Sequence, residues 1–492
     1  MANGERVGGR SRRWLWHVLW PALLVVLALW YVELSWQAGL ATGLRSLPQL
    51  AAPGAGARVL VIAPHEDDEA LGGAGLMARA VANGAEVYVC LLTNGEGEEL
   101  GAAWASKSLK LTPEKFVRLG LVRQRETRRV LARLGVPDDH VFFLGYPNGG
   151  LDRMWLADNW DLQHPFRSRF LRTDHSPYSD SFTPEATYAG AQLLGDLSAV
   201  LRYVQPTMVF TVHPADVHRD HWPADNFAAL ALAELALDRR DHWARSVPLY
   251  SYLVHFPKWP VPWGYEPDDP LQPPAVLARQ SVSRWLSLPL SLEEARSKGK
   301  LIGAYRSQLG PYDRLLHAFA RRNELFATTR PFHLTPGMPA ESPPDWSMEP
   351  VATTRRLRKH PGADILAVEV ESQGELVCLR ARTLGPLRHG VTLILTLHIL
   401  QPGPGVPRVV QATARAGEPV ETRSADDSAR SAPESDVAVR AAASAGVLEL
   451  RVPVTRFRQW GWVMVDAVTR IGDLQLDHAT TRIVEAAGRP EG

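Results

Sequence analysis

The hydrophobic positions of this chain fall into two regimes. Between residues 57 and 310, short apolar runs bounded by turn residues alternate with longer stretches of helical spacing. The runs ARVLVIA (57–63), EVYVCLL (86–92), HVFFLG (140–145), TMVFTV (207–212) and LYSYLV (249–254) have the continuous apolar character of strands buried on both faces. Helical spacing occupies 70–83, closed by Gly84, and 117–135, where Val122, Val130, Leu131 and Leu134 supply the apolar positions and Gly135 ends the run. Further helices are predicted at 187–204, 222–238 and 291–309. Strands and helices alternating at these lengths predict βαβ units, hence an α/β fold with a doubly wound, mostly parallel sheet. Residues 96–116 and 151–182 interrupt the alternation as polar and aromatic loops, too long for simple connections and of the kind that wall a site.

From residue 350 the pattern changes. The runs at 365–371, 376–382, 391–400, 448–454 and 462–468 read as strands with no comparable helices between them, which predicts a β-sandwich-like C-terminal domain of about 140 residues. Residues 416–445, rich in Ala, Ser, Arg and Glu, are expected to form a mobile loop. At the other end, Trp14 to Trp36 reads WLWHVLWPALLVVLALWYVELSW, long enough as a helix (~34 Å) to cross a bilayer. Trp14, Trp16 and Trp20 lie toward one end of it and Trp30 and Trp36 toward the other, as interfacial aromatics do. A cleavable signal peptide is the competing reading, but no small-x-small cleavage site follows directly. The expected organisation is a basic tail (1–13), a transmembrane helix (14–36), a linker (37–56), an α/β domain (57–330) and a β-rich domain (350–485). Arg6, Arg10, Arg12 and Arg13 precede the apolar segment and only Arg45 follows it closely. That asymmetry predicts a single-pass membrane protein with a cytoplasmic N-terminus and extracytoplasmic folded domains.

Composition removes several alternatives. Hydrophobic residues are 45% and charged residues 22%, so the chain is not disordered as a whole. Fifty-four Lys and Arg balance 53 Asp and Glu, which leaves no basic field to recruit nucleic acid. Cys90 and Cys378 are too few for a thiolate metal site, so any metal must take His and carboxylate ligands.

Two clusters supply such ligands. The first, His65-Glu66-Asp67-Asp68-Glu69, follows the strand at 57–63; the second, His213-Pro214-Ala215-Asp216-Val217-His218-Arg219-Asp220-His221, follows the strand at 207–212. Acidic residues at a helix start complement its dipole, and a lone histidine in a loop is usually only solvated. Four consecutive acids beside a histidine repel one another unless a cation sits among them. Both clusters end strands of one sheet, where ligands of open α/β sheets bind, and together they provide the three ligands that a catalytic zinc requires. LGGAG (71–75) is not G-x-G-x-x-G, and the acids before it would repel a pyrophosphate, so dinucleotide binding is rejected. His213 is read as structural.

The pair PHEDDE and HRDH resembles the PHxDDE and HxDH motifs of the PIG-L/LmbE-like family of zinc-dependent N-acetylglucosaminyl deacetylases. Arg123-x-x-Glu126, LGYPNGG (144–150), Tyr252-Leu-Val-His255 with Trp259-Pro260, and Lys300 with Tyr305-Arg-Ser-Gln308 also fit. The likeness covers about 57–310 and implies a Rossmann-like sheet. It implies Zn2+ as cofactor, with His65, Asp68 and His221 as metal ligands. It further implies Asp67 as general base, His218 as the group that stabilises the transition state, and Asp220 as an orienting residue. Glu66 and Arg219 stand where the family usually has proline, both at spacer positions. The implied reaction is hydrolysis of an N-acetyl group from an N-acetylglucosamine-type sugar or glycoconjugate, giving acetate and a free amine.

Arg123, His255 and Trp259 are candidates for substrate binding, the first through a hydroxyl or phosphate and the others as a sugar-stacking wall. Each has a plain alternative in surface solvation or packing. The expected partners are the acetylated substrate and, through the N-terminal helix, a membrane; no nucleic acid is expected. Eukaryotic members of the family face the cytosol, against the charge asymmetry here, and the asymmetry is preferred. Two other functions compete: a non-catalytic, membrane-anchored glycan-binding envelope protein, and a zinc amidase acting on a non-sugar amide.

Overall fold

In this computed structural model, residues 47–108, 110–279, 283–329, 332–334, 357, 359–401, 407–425, 438–442, 445–457, 459–460 and 462–486 are described. The segment 14–36 lies outside them. Among the described residues no helix is long and apolar enough to cross a membrane.

Seven strands form the first sheet, in the order β3-β2-β1-β4-β5-β7-β6. They are β1 (Arg58–Ala63), β2 (Glu86–Thr93), β3 (Val141–Tyr146), β4 (Met208–Val212), β5 (Leu249–Tyr252), β6 (Ser283–Pro289) and β7 (Asn323–Thr329). The first five are parallel to one another, as their uninterrupted apolar runs require. The strands β6 and β7 pair antiparallel, and β7 also pairs antiparallel with β5. Neither strand was expected, because SRWLSLP and NELFATT are mixed rather than uniformly apolar.

Helices α1 (Asp68–Ala82), α2 (Glu99–Ser106), α3 (Pro113–Leu134), α4 (Leu151–Met154), α5 (Gly190–Val204), α6 (His221–Leu237) and α7 (Leu292–Ile302) connect or cover the strands. The expected loop 96–116 thus contains α2 and the first turn of α3, and the helix expected at 291–309 stops at 302. Gly135 closes α3 in the left-handed conformation, with its N–H on Ala132 O. The linker expected at 37–56 is not free along its length: Leu50 N donates to Ser287 O and Ser287 N to Pro48 O, so residues 48–50 dock on β6.

The C-terminal strands are β8 (Phe332–Leu334), β9 (Ile365–Gln373), β10 (Leu376–Thr383), β11 (Val391–Leu400), β12 (Arg408–Arg415), β13 (Glu421–Ala425), β14 (Ala438–Ala442), β15 (Val447–Pro453), β16 (Trp462–Ile471) and β17 (Leu474–Ala486). They form a four-stranded sheet, β14-β15-β10-β9, and a six-stranded sheet, β13-β12-β11-β16-β17-β8. The inner faces share one core that includes Val368, Val370, Leu379, Leu450, Leu393, Leu395 and Val465. The region expected as a mobile loop at 416–445 contains β13 and β14; residues 426–437 lie outside the described set.

The outer face of the larger sheet is also covered. On β11, Leu393, Leu395, Leu397 and Ile399 enter the sandwich core, while the alternate residues Thr396 and His398 are buried on the other side. There His398 stacks on Trp155 at 3.7 Å between ring centroids, and Gln411 Oε1 accepts from Ala157 N at 3.1 Å. The described residues from 48 onward therefore belong to one compact unit.

Candidate metal centre

The sheet order places β1 beside β4, with β2 and β3 continuing on one side and β5 on the other. Chain direction across the sheet reverses between these two neighbours, and the crevice beyond their carboxyl ends is where such sheets bind ligands. The two polar clusters leave β1 and β4 at this crevice.

After Pro64 the chain turns sharply. Asp67 takes φ 116°, a left-handed conformation that Asp tolerates better than most residues, and caps α1 with its carbonyl, which accepts from Ala70 N and Leu71 N. That turn brings the Asp68 side chain back over His65: Asp68 Oδ2 accepts from His65 N at 3.0 Å and lies 3.1 Å from His65 Nδ1. His221, the first residue of α6, completes the group. Its Nε2 is 3.1 Å from His65 Nδ1 and 3.2 Å from Asp68 Oδ2. These three atoms make a nearly equilateral triangle. Donors around a tetrahedral zinc at ~2.0–2.1 Å stand about 3.3 Å apart, so the triangle has the size of one face of that tetrahedron.

The far nitrogen of each imidazole faces a carboxylate. His65 Nε2 is 3.1 Å from Asp220 Oδ2, and His221 Nδ1 is 3.0 Å from Asp216 Oδ2. Carboxylates in this position orient metal-ligating histidines and raise their basicity. Asp220 is held in turn by Gly149 N at 2.6 Å and Leu151 N at 3.0 Å. Asp216 accepts from Val254 N, His255 N and His218 N.

Three buried carboxylates around two imidazoles create a strong preference for positive charge. Burial alone would lower the pKa of His65, yet hydrogen bonds to Asp220 and Asp68 push it up to about 9. His221 is likewise raised, its desolvation outweighed by Asp216 and Asp68. The donor set and the charge balance both fit a divalent cation.

Two further histidines flank the triangle. His218 lies 4.7 Å from His65 and from His221, centroid to centroid, and His255 is 4.8 Å from His221. His65, His218 and His221 gather possible ligand atoms within 4.8 Å of one another, as do Asp68, His221 and His255. Asp220 N donates to His218 Nδ1 at 3.2 Å, so a neutral His218 carries its proton on Nε2. Burial lowers the His218 pKa, and the neighbouring imidazoles lower it further.

Asp67 is buried beside the group. Desolvation pushes its carboxyl up to about 8, with Arg123 opposing and Asp68 and Glu69 reinforcing. Glu69 in turn receives Asp67 N at 3.1 Å and the Tyr305 hydroxyl, which ties the YRSQ segment to the centre.

Several expectations are corrected here. Arg123 is not a free cation facing the crevice: it is buried, donating to Glu66 O at 2.7 Å and Gly95 O at 2.9 Å, with its Nε 3.2 Å from Glu66 Oε2. It binds two loops together. Trp259 is not a sugar-stacking wall, since it packs on Phe319 and donates Nε1 to Gln272 O. Neither Glu66 nor Arg219 is a mere spacer, because Glu66 is the buried partner of Arg123 and Arg219 grips Asp152. His213 is structural, as expected, stacked on Trp285 with Nδ1 accepting from Ala215 N. Asp216 had no assigned role. Its only sequence signal was its place within the second cluster, and the fold alone shows that it backs His221.

Residues 60–232 match the PIG-L family model, described as GlcNAc-PI de-N-acetylase. The chain is similar to a 1D-myo-inositol 2-acetamido-2-deoxy-alpha-D-glucopyranoside deacetylase of Streptomyces avermitilis, 32% identical over 184 residues, covering 37% of this chain and 54% of that one. It is also similar to the enzyme of the same name from Mycolicibacterium vanbaalenii, 41% identical over 182 residues, covering 36% and 55%. The chain thus spans about half the length of the curated relatives it matches. Among solved structures, N,N'-diacetylchitobiose deacetylase from Pyrococcus horikoshii aligns with 56% of this chain and 84% of its own, at 18% identity and a TM-score of 0.35. The β1 and β4 clusters, and the crevice between them, lie inside the region that matches the PIG-L family model.

Proposed function

We propose that the protein is a zinc-dependent N-deacetylase that hydrolyses the acetamide of an N-acetylglucosamine-type sugar or glycoconjugate. The observation that carries this reading is the triangle of His65 Nδ1, Asp68 Oδ2 and His221 Nε2, with both imidazoles backed by carboxylates. The names of the relatives, all acetamido-sugar deacetylases, support the substrate class.

Zinc held there supplies a Lewis acid for the amide carbonyl and lowers the pKa of water at the site. In this reading Asp67, buried beside the triangle, takes the water's proton and returns it to the leaving amine. His218, with Nδ1 engaged by Asp220 N, directs its Nε2 proton at the oxygen that becomes negative in the tetrahedral state. Arg123 and Glu66 keep the 65–68 turn in register with Gly95. The products are acetate and a free amino sugar.

The apolar segment 14–36 and the four arginines before it support an anchored protein whose catalytic domain faces envelope glycans or glycolipids. Protease added to intact spheroplasts should digest the domain; protection until lysis would move the substrate to the cytoplasm. For the activity, zinc-loaded protein should release acetate from N-acetylated sugars and glycolipids, and a chelator should abolish the release. A panel of such substrates yielding no acetate would overturn the proposal.

A further inference from the structure

The loop that carries His218, Asp220 and His221 is not held by the α/β domain alone. We propose that Arg470 and His478, on the C-terminal sandwich, are positioning residues of the metal centre, so that the sandwich is part of the active-site scaffold. The inference rests on the proposed zinc site.

Arg470, near the end of β16, is buried and donates Nη2 to Asp152 Oδ2. Asp152, in α4, is fully buried and receives Arg219 through Nε at 3.1 Å and Nη2 at 2.8 Å. Arg219 is the residue between His218 and Asp220. One turn away, the backbone just before Asp152 grips the neighbouring loop residue, since Gly149 N and Leu151 N donate to the Asp220 carboxylate that faces His65. Arg470, Asp152 and Arg219 therefore form a continuous charged path from sandwich to loop.

A second tie comes from β17. His478 Nε2 is 3.2 Å from Pro214 O, near the start of the same loop, and its ring stacks on Trp222 at 5.2 Å between centroids. Trp222 directly follows His221, and its Nε1 donates to Gln475 Oε1 at 3.3 Å. The sandwich thus touches the chain before these histidines, at Pro214, and after them, at Trp222, and reaches Arg219 between them through Asp152.

The sequence explains why such a clamp is needed. At 219 this chain has an arginine, which does not fix its own φ as a proline would. An arginine can instead be held through its side chain by a buried carboxylate in a paired, directional contact.

The test uses full-length protein with Arg470→Met, Arg470→Lys and, as a control, Arg423→Ala. Arg423 makes a different ion pair from the sandwich to the α/β domain, with Asp158, away from the loop. Zinc affinity is measured by chelator competition, and hydrogen exchange is followed in 213–221, alongside the melting temperature. Arg470→Met should weaken zinc binding about tenfold, at the low end of outer-shell effects, and speed exchange in the loop. Arg470→Lys should recover most of both, and Arg423→Ala should change neither. Unaltered affinity and exchange in Arg470→Met would overturn the proposal. Should that variant fail to fold, His478→Phe keeps the stacking on Trp222 but loses the contact with Pro214 O. It should weaken zinc severalfold, and wild-type affinity there would equally overturn the proposal. A wild-type protein that binds no zinc would fail the reading of the site itself, whereas one that binds zinc without releasing acetate would leave the clamp standing.

Discussion

At the scale of single residues, the proposed centre separates groups that would hold a metal from groups that would act on substrate. His221→Ala removes one corner of the donor triangle, and metal analysis should find the site empty, since two protein ligands hold zinc poorly. Asp67→Asn leaves the triangle intact and removes the proton acceptor. It should retain zinc and lose ~10²–10⁴-fold in turnover, and near wild-type turnover would exclude Asp67 as the base. Asp216→Ala tests a residue that contacts no metal ligand donor directly but faces His221 Nδ1. Chelator competition should show affinity reduced ~10–100-fold. The first two residues were legible in the two motifs. Asp216 was visible only as an acid among histidines, because which nitrogen of His221 it faces depends on how α6 leaves the loop. Arg123 and Trp259 were misread for a related reason: an arginine on a helix or an aromatic in a loop gives no sign of burial until the neighbouring elements are in place.

At the scale of elements, the LGGAG run shows what its glycines are for. Gly72 abuts the Tyr252 ring, where an added Cβ would fall 2.1 Å from Cδ2, and Gly75 abuts Leu290. The run lets α1 lie close on the sheet, which keeps Asp68 at the crevice. Gly72→Ala should lower stability by about 1–3 kcal/mol through overpacking, read as a fall in melting temperature. Gly195, in α5, has open space around it, so Gly195→Ala should raise stability by about 1 kcal/mol from helix propensity. The five parallel strands were legible because burial on both faces demands uninterrupted apolar residues. The strands β6, β7, β8, β12, β13, β14 and β17 were missed. β6 pairs with β7 across a connection that includes α7, whereas β12, β13 and β14 pair with strands next to them in the chain; in each the mixed composition leaves no continuous apolar run to read.

At the scale of the whole molecule, the sandwich buries a histidine against the α/β domain. His398 stacks on Trp155 and meets Trp160 edge-on, and burial depresses its pKa to about 3 from an ordinary 6.5. The unfolded chain binds this proton below about pH 6.5 and the folded chain does not until about pH 3. Stability is therefore fully present above 6.5 and is lost as pH falls through that window. His398→Phe keeps an aromatic ring in the stack and removes the proton. Its unfolding free energy should depend less steeply on pH between 3 and 6.5 than that of the wild type, by up to one proton's worth, about 1.4 kcal/mol per pH unit. Equal slopes in denaturant titrations would show that His398 does not contribute to acid sensitivity.

The chemistry of this protein was written locally. A histidine and carboxylates within five residues, and histidines with aspartates within nine, mark a candidate cation site because such groups are unfavourable together without one. The alternation of apolar runs and helices placed both clusters at strand ends in the same way. What only the tertiary structure decided is everything that depends on two distant segments meeting: the backing of His221 by Asp216, the tie of Arg123 to Glu66, and the seating of the sandwich on the metal loop. Thr396, His398, Gln411 and Arg470 are polar and lie on the face of their strands opposite the sandwich core. They are buried because a second layer covers that face. A period of two reports that a strand has two sides, but not which of them meets water, since that is set by the partner and not by the strand.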